Sequence, residues 1–312
     1  MAYKSILTVV NFVADVPVTI ASASRLARSQ DAHLDILVLG IDRTQLGYTY
    51  IGSGAELMQI AIERAEEDAR SIEAAVTEAL KAEPEDLRYS VEAAVTQIGA
   101  LTDLVAQRAR FADLVVLARP YGAGKGADSE AVVEAALFEG RVPVVVLPAK
   151  GLPENPVPRR VVLAWNQSAE AMAATRQSLP FLKGADKVDI TVIDPPQHGP
   201  ERSDPGGHLC QMLVRHGVKA EVSVLAKSLP KVSEVIARHV ADIDADLLVM
   251  GAYGHSRFRE SILGGDTRAM LEQAQVRVNG ELPHPIAPAG SAVLQGLAHS
   301  VNQLVQQRTQ LR

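Results

Sequence analysis

The feature that most constrains the fold is a pattern of apolar runs and helical stretches that starts again halfway along the chain. Ala112–Val116 reads Ala-Asp-Leu-Val-Val and is answered by Ala245–Val249, which reads Ala-Asp-Leu-Leu-Val. The first apolar run of each half ends at an asparagine, Asn11 in the first half and Asn166 in the second. Two copies of one domain are the economical explanation, with a shorter second helix in the second copy.

Short apolar runs alternate with amphipathic stretches, and this alternation predicts parallel sheets covered by helices. The strands predicted for the first half are Lys4–Val10, His33–Ile41, Arg88–Ala94, Asp113–Ala118 and Val142–Leu147. The helices predicted between them are Asp15–Arg28, Glu56–Ala82, Ile98–Arg110 and Ser129–Glu139. The predicted fold class is therefore α/β, with two tandem doubly wound, Rossmann-like domains of five parallel strands each.

Prolines divide the chain into segments because proline continues neither a helix nor a central strand. We predict a first domain over residues 1–148, a proline-rich linker over 149–159, a second domain over 160–280 and a C-terminal tail over 281–312. The last strand of the second domain, Gln275–Gly280, is short and half polar. The tail carries an amphipathic segment whose apolar residues lie on one helical face.

Composition narrows the class of protein. At 312 residues the chain suits two domains of the usual size of about 100 to 200 residues. A net charge of −6 argues against nucleic acid or an anionic membrane as the main partner. The single cysteine, Cys210, allows no disulfide within the chain, and no apolar run reaches the ~20 residues that span a bilayer. We therefore expect a cytoplasmic protein.

A glycine-rich loop leaves the predicted strand Asp246–Met250 and enters the predicted helix Thr267–Ala274. At such a junction in an α/β sheet, backbone N–H groups and a helix N-terminus converge and stabilise an anion. Gly251 and Gly254 allow a tight turn and a close approach of the backbone to a ligand, and two further glycines open the helix. A phosphate group is the expected ligand. The alternative is that the glycines only make a tight connection between strand and helix.

The spacing of Gly251, Gly254 and Gly264 is G-x2-G-x9-G, which resembles the nucleotide loop of the universal stress protein family. The resemblance implies that Gly251 and Gly254 line the ribose and phosphates, and that Gly264, Gly265 and Thr267 hold the distal phosphates. Gly265 stands where the family usually has a small hydroxyl residue, and Thr267 follows two positions later.

The repeat extends this resemblance to the tandem universal stress proteins over roughly residues 1–278, with ATP or another adenine nucleotide, with Mg, as the implied ligand. Family members that bind ATP end their first strand in an aspartate, whereas this chain has Asn166, whose amide can still bond a base edge. Val192 matches the family position that packs against the base. His255 and Arg257, inside the loop, either pair with phosphate or are simply exposed loop charges.

The first half departs from the pattern, because no G-x2-G-x9-G spacing can be placed after Ala118. Gly124 and Lys125 suggest a Walker A loop, but that motif needs glycine where Arg119 stands and a hydroxyl residue where Gly126 stands. We therefore expect a degenerate first site.

Two other kinds of site find little support in the sequence. His208, Cys210 and His216 lie close together, but no second pair completes a tetrahedral zinc set. No catalytic base or nucleophile stands out either, so an enzymatic activity beyond slow ATP hydrolysis is not expected.

The expected function is a stress-response regulatory module that binds an adenine nucleotide in its second domain. The alternative is an interaction scaffold that binds no nucleotide because both sites have degenerated. In either case the tail and the sheet edges are candidate contacts for a homo-oligomer, such as a dimer, or for a protein partner.

Overall fold

A computed structural model describes residues 2–44, 54–122, 125–195, 198 and 203–252. Within these ranges nine strands are present: β1 (Ser5–Val10), β2 (His33–Asp42), β3 (Arg88–Gln97), β4 (Leu114–Leu117), β5 (Val144–Val146), β6 (Arg160–Ala164), β7 (Lys187–Ile193), β8 (Ala220–Leu225) and β9 (Leu247–Val249). The helices in the same ranges are α1 (Val16–Gln30), α2 (Gly54–Leu80), α3 (Leu101–Ala109), α4 (Ala127–Glu134), α5 (Ala169–Gln177), α6 (Leu179–Gly184), α7 (Gly207–Arg215) and α8 (Val232–Asp242).

The strands form two parallel sheets with the same topology. The first has the order β3-β2-β1-β4-β5, and the second, over the described residues, has the order β8-β7-β6-β9. In each sheet the order reverses at the first strand of the domain, which lies between its second and fourth strands. The predicted fold class, tandem doubly wound α/β domains, is confirmed. The strand predicted at Gln275–Gly280 and the helix predicted at Thr267–Ala274 lie outside the described residues.

Strand register makes the duplication of the two domains explicit. Leu7 pairs with Asp35, and at the matching place Val162 pairs with Asp189. Asp113 accepts hydrogen bonds from the backbone N–H groups of Lys4 and Ser5, and Asp246 accepts the same two bonds from Arg159 and Arg160. The aspartate of the Ala-Asp repeat therefore holds the start of the first strand in both domains.

The apolar face of α2 shows how a helix covers the first sheet. The buried residues of α2 recur three or four positions apart and form one stripe, which comprises Ala65, Ala69, Ile72, Val76 and Leu80. Gly40 in β2 lets this helix approach the sheet, because a Cβ at that position would lie 2.0 Å from the carbonyl oxygen of Ala65. The sheet and helix of the first domain thus meet at backbone distance.

The two domains contact each other through Tyr3. Its ring lies 5.2 Å from the ring of Phe181, between centroids, and its hydroxyl donates a 2.6 Å hydrogen bond to the carbonyl oxygen of Gln177. Tyr3 and Phe181 belong to the same buried cluster as the apolar side chains with which α1 packs on β1. Burial, with a smaller effect of Asp113, raises the pKa of Tyr3, so the hydroxyl remains a donor.

The proline-rich segment 149–159 is attached to α1. The Leu152 N–H donates to Ser22 Oγ at 3.0 Å, and Arg25 donates to the Leu152 carbonyl oxygen at 2.8 Å. Arg25 also forms an ion pair with Glu154. These contacts fix the path of the chain between the two sheets. The domain boundaries themselves stay predictions, and the tail over 281–312 lies outside the described residues.

Candidate functional site

The second domain brings two of the predicted site residues to one end of its sheet. Leu163 in β6 pairs with Val249 in β9, so Asn166 and Gly251 follow the carboxyl ends of neighbouring strands. This is the point where the strand order reverses, and open α/β sheets bind their ligands in the crevice at such a point. We call this end of the second sheet, with Asn166 and Gly251, the second crevice.

Asn166 is exposed and organises the start of α5. Its Oδ1 accepts a hydrogen bond from the Ser168 N–H at 3.1 Å, and Ser168 Oγ in turn accepts from the Ala171 N–H at 3.1 Å, which caps the helix. Since Oδ1 is engaged in this turn, the remaining group of Asn166 is Nδ2, a donor. The side chain therefore offers a ligand an N–H group, where an aspartate would offer only acceptors.

Gly251 is required by packing against the same helix start. A Cβ at Gly251 would lie 2.6 Å from the Ala171 nitrogen and 2.8 Å from the Glu170 carbonyl carbon, both backbone atoms. The described structure thus explains this glycine by a contact between β9 and α5. The role in ligand contact that the sequence predicts for Gly251 stays a prediction.

Val192 lies in β7 and is buried in the core of the second domain, with 3% of its surface exposed. Gly206, which has φ +83°, comes so close that a Cβ there would contact the Val192 side chain at 3.4 Å. Trp165 belongs to the same core, and its buried Nε1 has no hydrogen-bond partner within the described part of the chain. Core packing therefore accounts for both side chains in the described residues.

Six of the predicted site residues lie outside the described residues, so their roles stay predictions: Gly254, His255, Arg257, Gly264, Gly265 and Thr267.

The corresponding end of the first sheet, which we call the first crevice, is bridged by the chain's own polar side chains. Asp128, at the start of α4 and 4% exposed, accepts hydrogen bonds from Asn11 Nδ2 at 3.1 Å and from Arg43 Nη2 at 2.7 Å. Asn11 follows β1 and Arg43 follows β2. The network therefore joins the carboxyl ends of two strands to a helix on the far side of the crevice.

Lys125 completes this closure. Its ammonium group pairs with Asp15 and lies 4.9 Å from the centroid of the Phe12 ring, over which the Arg43 guanidinium also lies, at 5.4 Å. The space that remains is about 10 Å³, roughly that of one water molecule. In this arrangement of the described residues, the chain's own polar side chains occupy the first crevice.

A polar cluster in the second domain was not foreseen from the sequence. Asp189 in β7 accepts hydrogen bonds from Thr191 Oγ1 at 2.7 Å and Ser223 Oγ at 2.6 Å, and His239 Nε2 in α8 lies 3.1 Å away. The only local signal is an acid inside the apolar run Lys187–Ile193. His239 follows 50 residues later, a separation at which no spacing rule applies.

The described residues contain neither a metal-binding cluster nor a membrane-spanning helix. There, His208, Cys210 and His216 included, no three His, Cys, Asp or Glu side chains are grouped so as to hold a metal ion. Burial, with a smaller effect of Asp204, raises the pKa of the Cys210 thiol. No helix within these ranges is both long and apolar enough to cross a membrane.

Comparison with known proteins gives one curated relative and several solved structures. No family model matches the chain. The universal stress protein Slr1230 of Synechocystis sp. (strain ATCC 27184 / PCC 6803 / Kazusa) is 31% identical over 124 residues, which cover 38% of this chain and 41% of that protein. The match therefore spans less than half the length of the curated relative.

Solved structures resemble the chain over both sheets. A universal stress protein from Archaeoglobus fulgidus DSM 4304 has a TM-score of 0.54 at 13% identity and covers 78% of this chain and 85% of its own. A putative universal stress protein from Pseudomonas aeruginosa UCBPP-PA14 has a TM-score of 0.51 at 14% identity, over 87% of this chain and 90% of its own. At these identities the likeness shows the fold, and it agrees with the sequence match to the same family.

Proposed function

We propose that this chain, a universal stress protein by sequence similarity and fold, binds an adenine nucleotide in its second domain and acts as a regulatory module in the stress response. The observation that carries the proposal is the difference between the two crevices. The first is bridged by ion pairs and filled over the described residues, whereas the second presents an exposed Asn166 whose amide Nδ2 has no partner among the described residues.

The chemistry of the second crevice fits a nucleotide. Asn166 Nδ2 is suited to an acceptor nitrogen of a base, and the glycine loop from Gly251 to Thr267 begins next to it at the strand end. His255 and Arg257 supply positive charge where the phosphates are proposed to bind, and Gly254, Gly264, Gly265 and Thr267 supply backbone and hydroxyl donors. A Mg ion bound with the nucleotide would supply further positive charge to its phosphates.

Base packing against Val192 requires one local change. Val192 is buried beside Gly206, so a base reaches it only if the segment around Gly206 moves aside. The proposed site therefore includes a binding step in which the turn before α7 shifts.

An interaction scaffold is the second candidate, and the first sheet supplies an observation in its favour. β3 is the edge strand and leaves Tyr89 and Val95 exposed, at 47% and 43%. A ten-residue edge strand with exposed apolar side chains can pair with a strand of another chain. A homo-oligomer or a protein partner would then be the physiological ligand, in place of the nucleotide.

Two measurements separate the candidates. Mass spectrometry of small molecules released from freshly denatured protein identifies a co-purified nucleotide, and calorimetric titration with ATP and Mg gives the stoichiometry. The nucleotide proposal expects one site per chain. Two equivalent sites would contradict the asymmetry, and no binding of any adenine nucleotide would leave the scaffold as the function.

A further inference from the structure

The first sheet has a second concavity at the opposite end from its crevice, near the amino ends of β1, β2 and β3. We call it the Asp35 groove. Its volume is about 210 Å³, and its lining includes Asp35, Leu37, Ser90, Glu92, Arg108 and Phe111. This volume is below the roughly 300 to 1,000 Å³ of sites that hold drug-sized ligands. The groove has room for one small molecule.

In the second domain, the carboxylate at the equivalent position is covered and fully hydrogen-bonded. Strand register makes Asp189 the counterpart of Asp35, since each is the partner of the equivalent residue in the first strand. Two hydroxyl groups donate to Asp189, and the imidazole of His239 covers it, which leaves 4% of the side chain exposed. The carboxylate thus accepts hydrogen bonds from three donors, one of which is a nitrogen of the planar imidazole ring.

Asp35 has the hydroxyl donors, but the imidazole next to it is that of His33 on its own strand and not one from the covering helix. Ser90 Oγ donates to Asp35 Oδ1 at 2.6 Å and Ser5 Oγ to Oδ2 at 3.4 Å, but 45% of the side chain is exposed. His239 lies seven residues before Asp246, and the residue seven before Asp113 is Ala106, which has no donor. At this position α3 carries the methyl group of Ala106 where α8 carries the imidazole of His239. No ring from α3 therefore covers Asp35.

The neighbouring charges favour a cation in the groove. Arg108 forms a two-bond pair with Glu92, which lowers the pKa of that carboxyl, so the two charges balance. His33 Nε2 is 3.6 Å from Asp35 Oδ1, within ion-pair distance, so a protonated His33 competes with a ligand for this carboxylate, but His33 does not line the groove. Among the residues that line the groove, the Asp35 carboxylate is therefore the charge that no other lining residue balances.

The apolar lining favours a flat cation over a compact one. Leu37 forms part of the buried floor, and the Phe111 ring is 80% exposed at the rim. An aromatic face attracts weakly hydrated planar cations, and a carboxylate pairs with their N–H groups. A strongly hydrated metal ion would gain nothing from these walls.

We propose that the Asp35 groove is a binding site for a small planar nitrogen cation of the imidazolium or guanidinium class. The ligand donates an N–H group to Asp35, as His239 does to Asp189, and its ring or plane lies against Phe111 and the apolar floor. The site is independent of the nucleotide proposal, because it lies at the other end of the sheet and in the other domain.

The test uses the full chain labelled with ¹⁵N and titrated with imidazole at pH 6, where imidazole is largely protonated, at constant ionic strength. We expect saturable amide shifts confined to residues around the groove, such as Ser5, Asp35 and Ser90. Asp35→Asn should weaken binding by about 10-fold or more, because it removes the charge from the acceptor. Phe111→Ala should weaken it by a smaller factor.

The matched control is Asp86→Asn, which removes the same charge from an exposed surface position that pairs with Arg28. Binding that falls equally in both aspartate variants would reduce the effect to general charge attraction and overturn the proposal. Shifts scattered over the surface, or absent up to high imidazole concentration, would do the same. Because Asp35 is half-exposed and asparagine keeps its size, Asp35→Asn should retain the parent's circular dichroism, so a loss of binding reports the site.

Discussion

His239 Nε2 lies 3.1 Å from Asp189 Oδ1, and this contact joins α8 to the middle of the second sheet with only 12% and 4% of the two side chains exposed. Asp189 also accepts from Thr191 and Ser223, so every partner of the buried carboxylate is a donor. Removing one donor from such a cluster leaves an acceptor with less compensation for its lost hydration.

We predict that His239→Ala lowers the free energy of unfolding by about 1 to 3 kcal/mol, because the buried Asp189 carboxyl loses one of its hydrogen-bond partners. Urea denaturation followed by circular dichroism measures the change. Arg238→Ala is the matched control, because Arg238 is exposed and, in the part of the chain that the structure describes, pairs along its own helix with Asp242. Equal losses in the two variants would mean that the helix, and not the contact with Asp189, sets the effect.

Free imidazole should restore part of the stability that His239→Ala loses. The substitution leaves a space above Asp189 with the shape of the missing ring, and a ligand that binds the folded state raises its stability in proportion to the logarithm of its concentration. The denaturation midpoint of His239→Ala should therefore rise with imidazole more steeply than that of the parent. A parallel rise in both would argue against a specific site.

Tyr3→Phe tests the contact between the domains. The ring packing on Phe181 is kept and the hydrogen bond to the Gln177 carbonyl is lost, so we expect a loss of about 1 kcal/mol. Burial raises the pKa of Tyr3, which keeps the hydroxyl protonated below its raised value. The difference between variant and parent should accordingly be the same at pH 6 and pH 9. Tyr89→Phe, at an exposed tyrosine, should change stability by less than about 0.5 kcal/mol.

The fold was predictable because its signals are local and repeated. Apolar runs and helical stripes gave the strands and helices of the first domain to within a few residues, and the Ala-Asp repeat gave the duplication. Asp113 and Asp246 confirm that repeat physically, since each holds the first strand of its domain.

The site was harder to predict because its contacts join residues far apart in sequence. Asp128 meets Asn11 across 117 positions and Arg43 across 85, so no spacing rule could show that the first crevice is filled. Gly251 is a different case: the sequence predicts that it contacts a ligand, which stays a prediction, and the described atoms next to it belong to α5. A glycine in the sequence indicates that a Cβ is excluded at that position, but it does not show which neighbouring atoms exclude it.

Gly251→Ala should destabilise the second domain whether or not a nucleotide is present. A methyl group there would lie 2.6 Å from the Ala171 nitrogen, so the start of α5 or the end of β9 must move. We expect a loss of about 1 to 3 kcal/mol, the usual cost of overpacking. Gly99→Ala is the control, because a Cβ at Gly99 meets nothing within 4 Å. If both variants unfold at the parent's midpoint, the contact with α5 is not limiting.

Asparagine at the end of the first strand should tolerate aspartate in one domain only. Asn11→Asp would place a second carboxylate about 3 Å from buried Asp128, so we expect a loss of about 1 to 3 kcal/mol at pH 7 that shrinks at pH 4 as the pair takes up a proton. Asn166→Asp keeps the acceptor for Ser168 on an exposed side chain and should be nearly neutral. Melting curves of the two variants at both pH values measure the difference. Equal effects would show that the first crevice is not closed by this bond.

Gly254→Val tests the nucleotide loop. Backbone amides reach a phosphate only where no side chain intervenes, and the G-x2-G-x9-G spacing occurs only after β9. Gly254→Val should displace about two amide bonds to charged phosphate, each worth about 1.5 to 3 kcal/mol, and so weaken ATP binding by roughly two to four orders of magnitude.

Lys125→Ala is the control for this prediction. It removes a cation from the first crevice, where Lys125 already pairs with Asp15, and should leave ATP affinity unchanged. A fluorescent ATP analogue titrated into both variants and the parent measures the affinities, with circular dichroism confirming the fold. If Gly254→Val binds as the parent does, the loop is only a connection between strand and helix. If Lys125→Ala loses affinity, the nucleotide contacts the first domain, and the assignment of the site to the second domain is wrong.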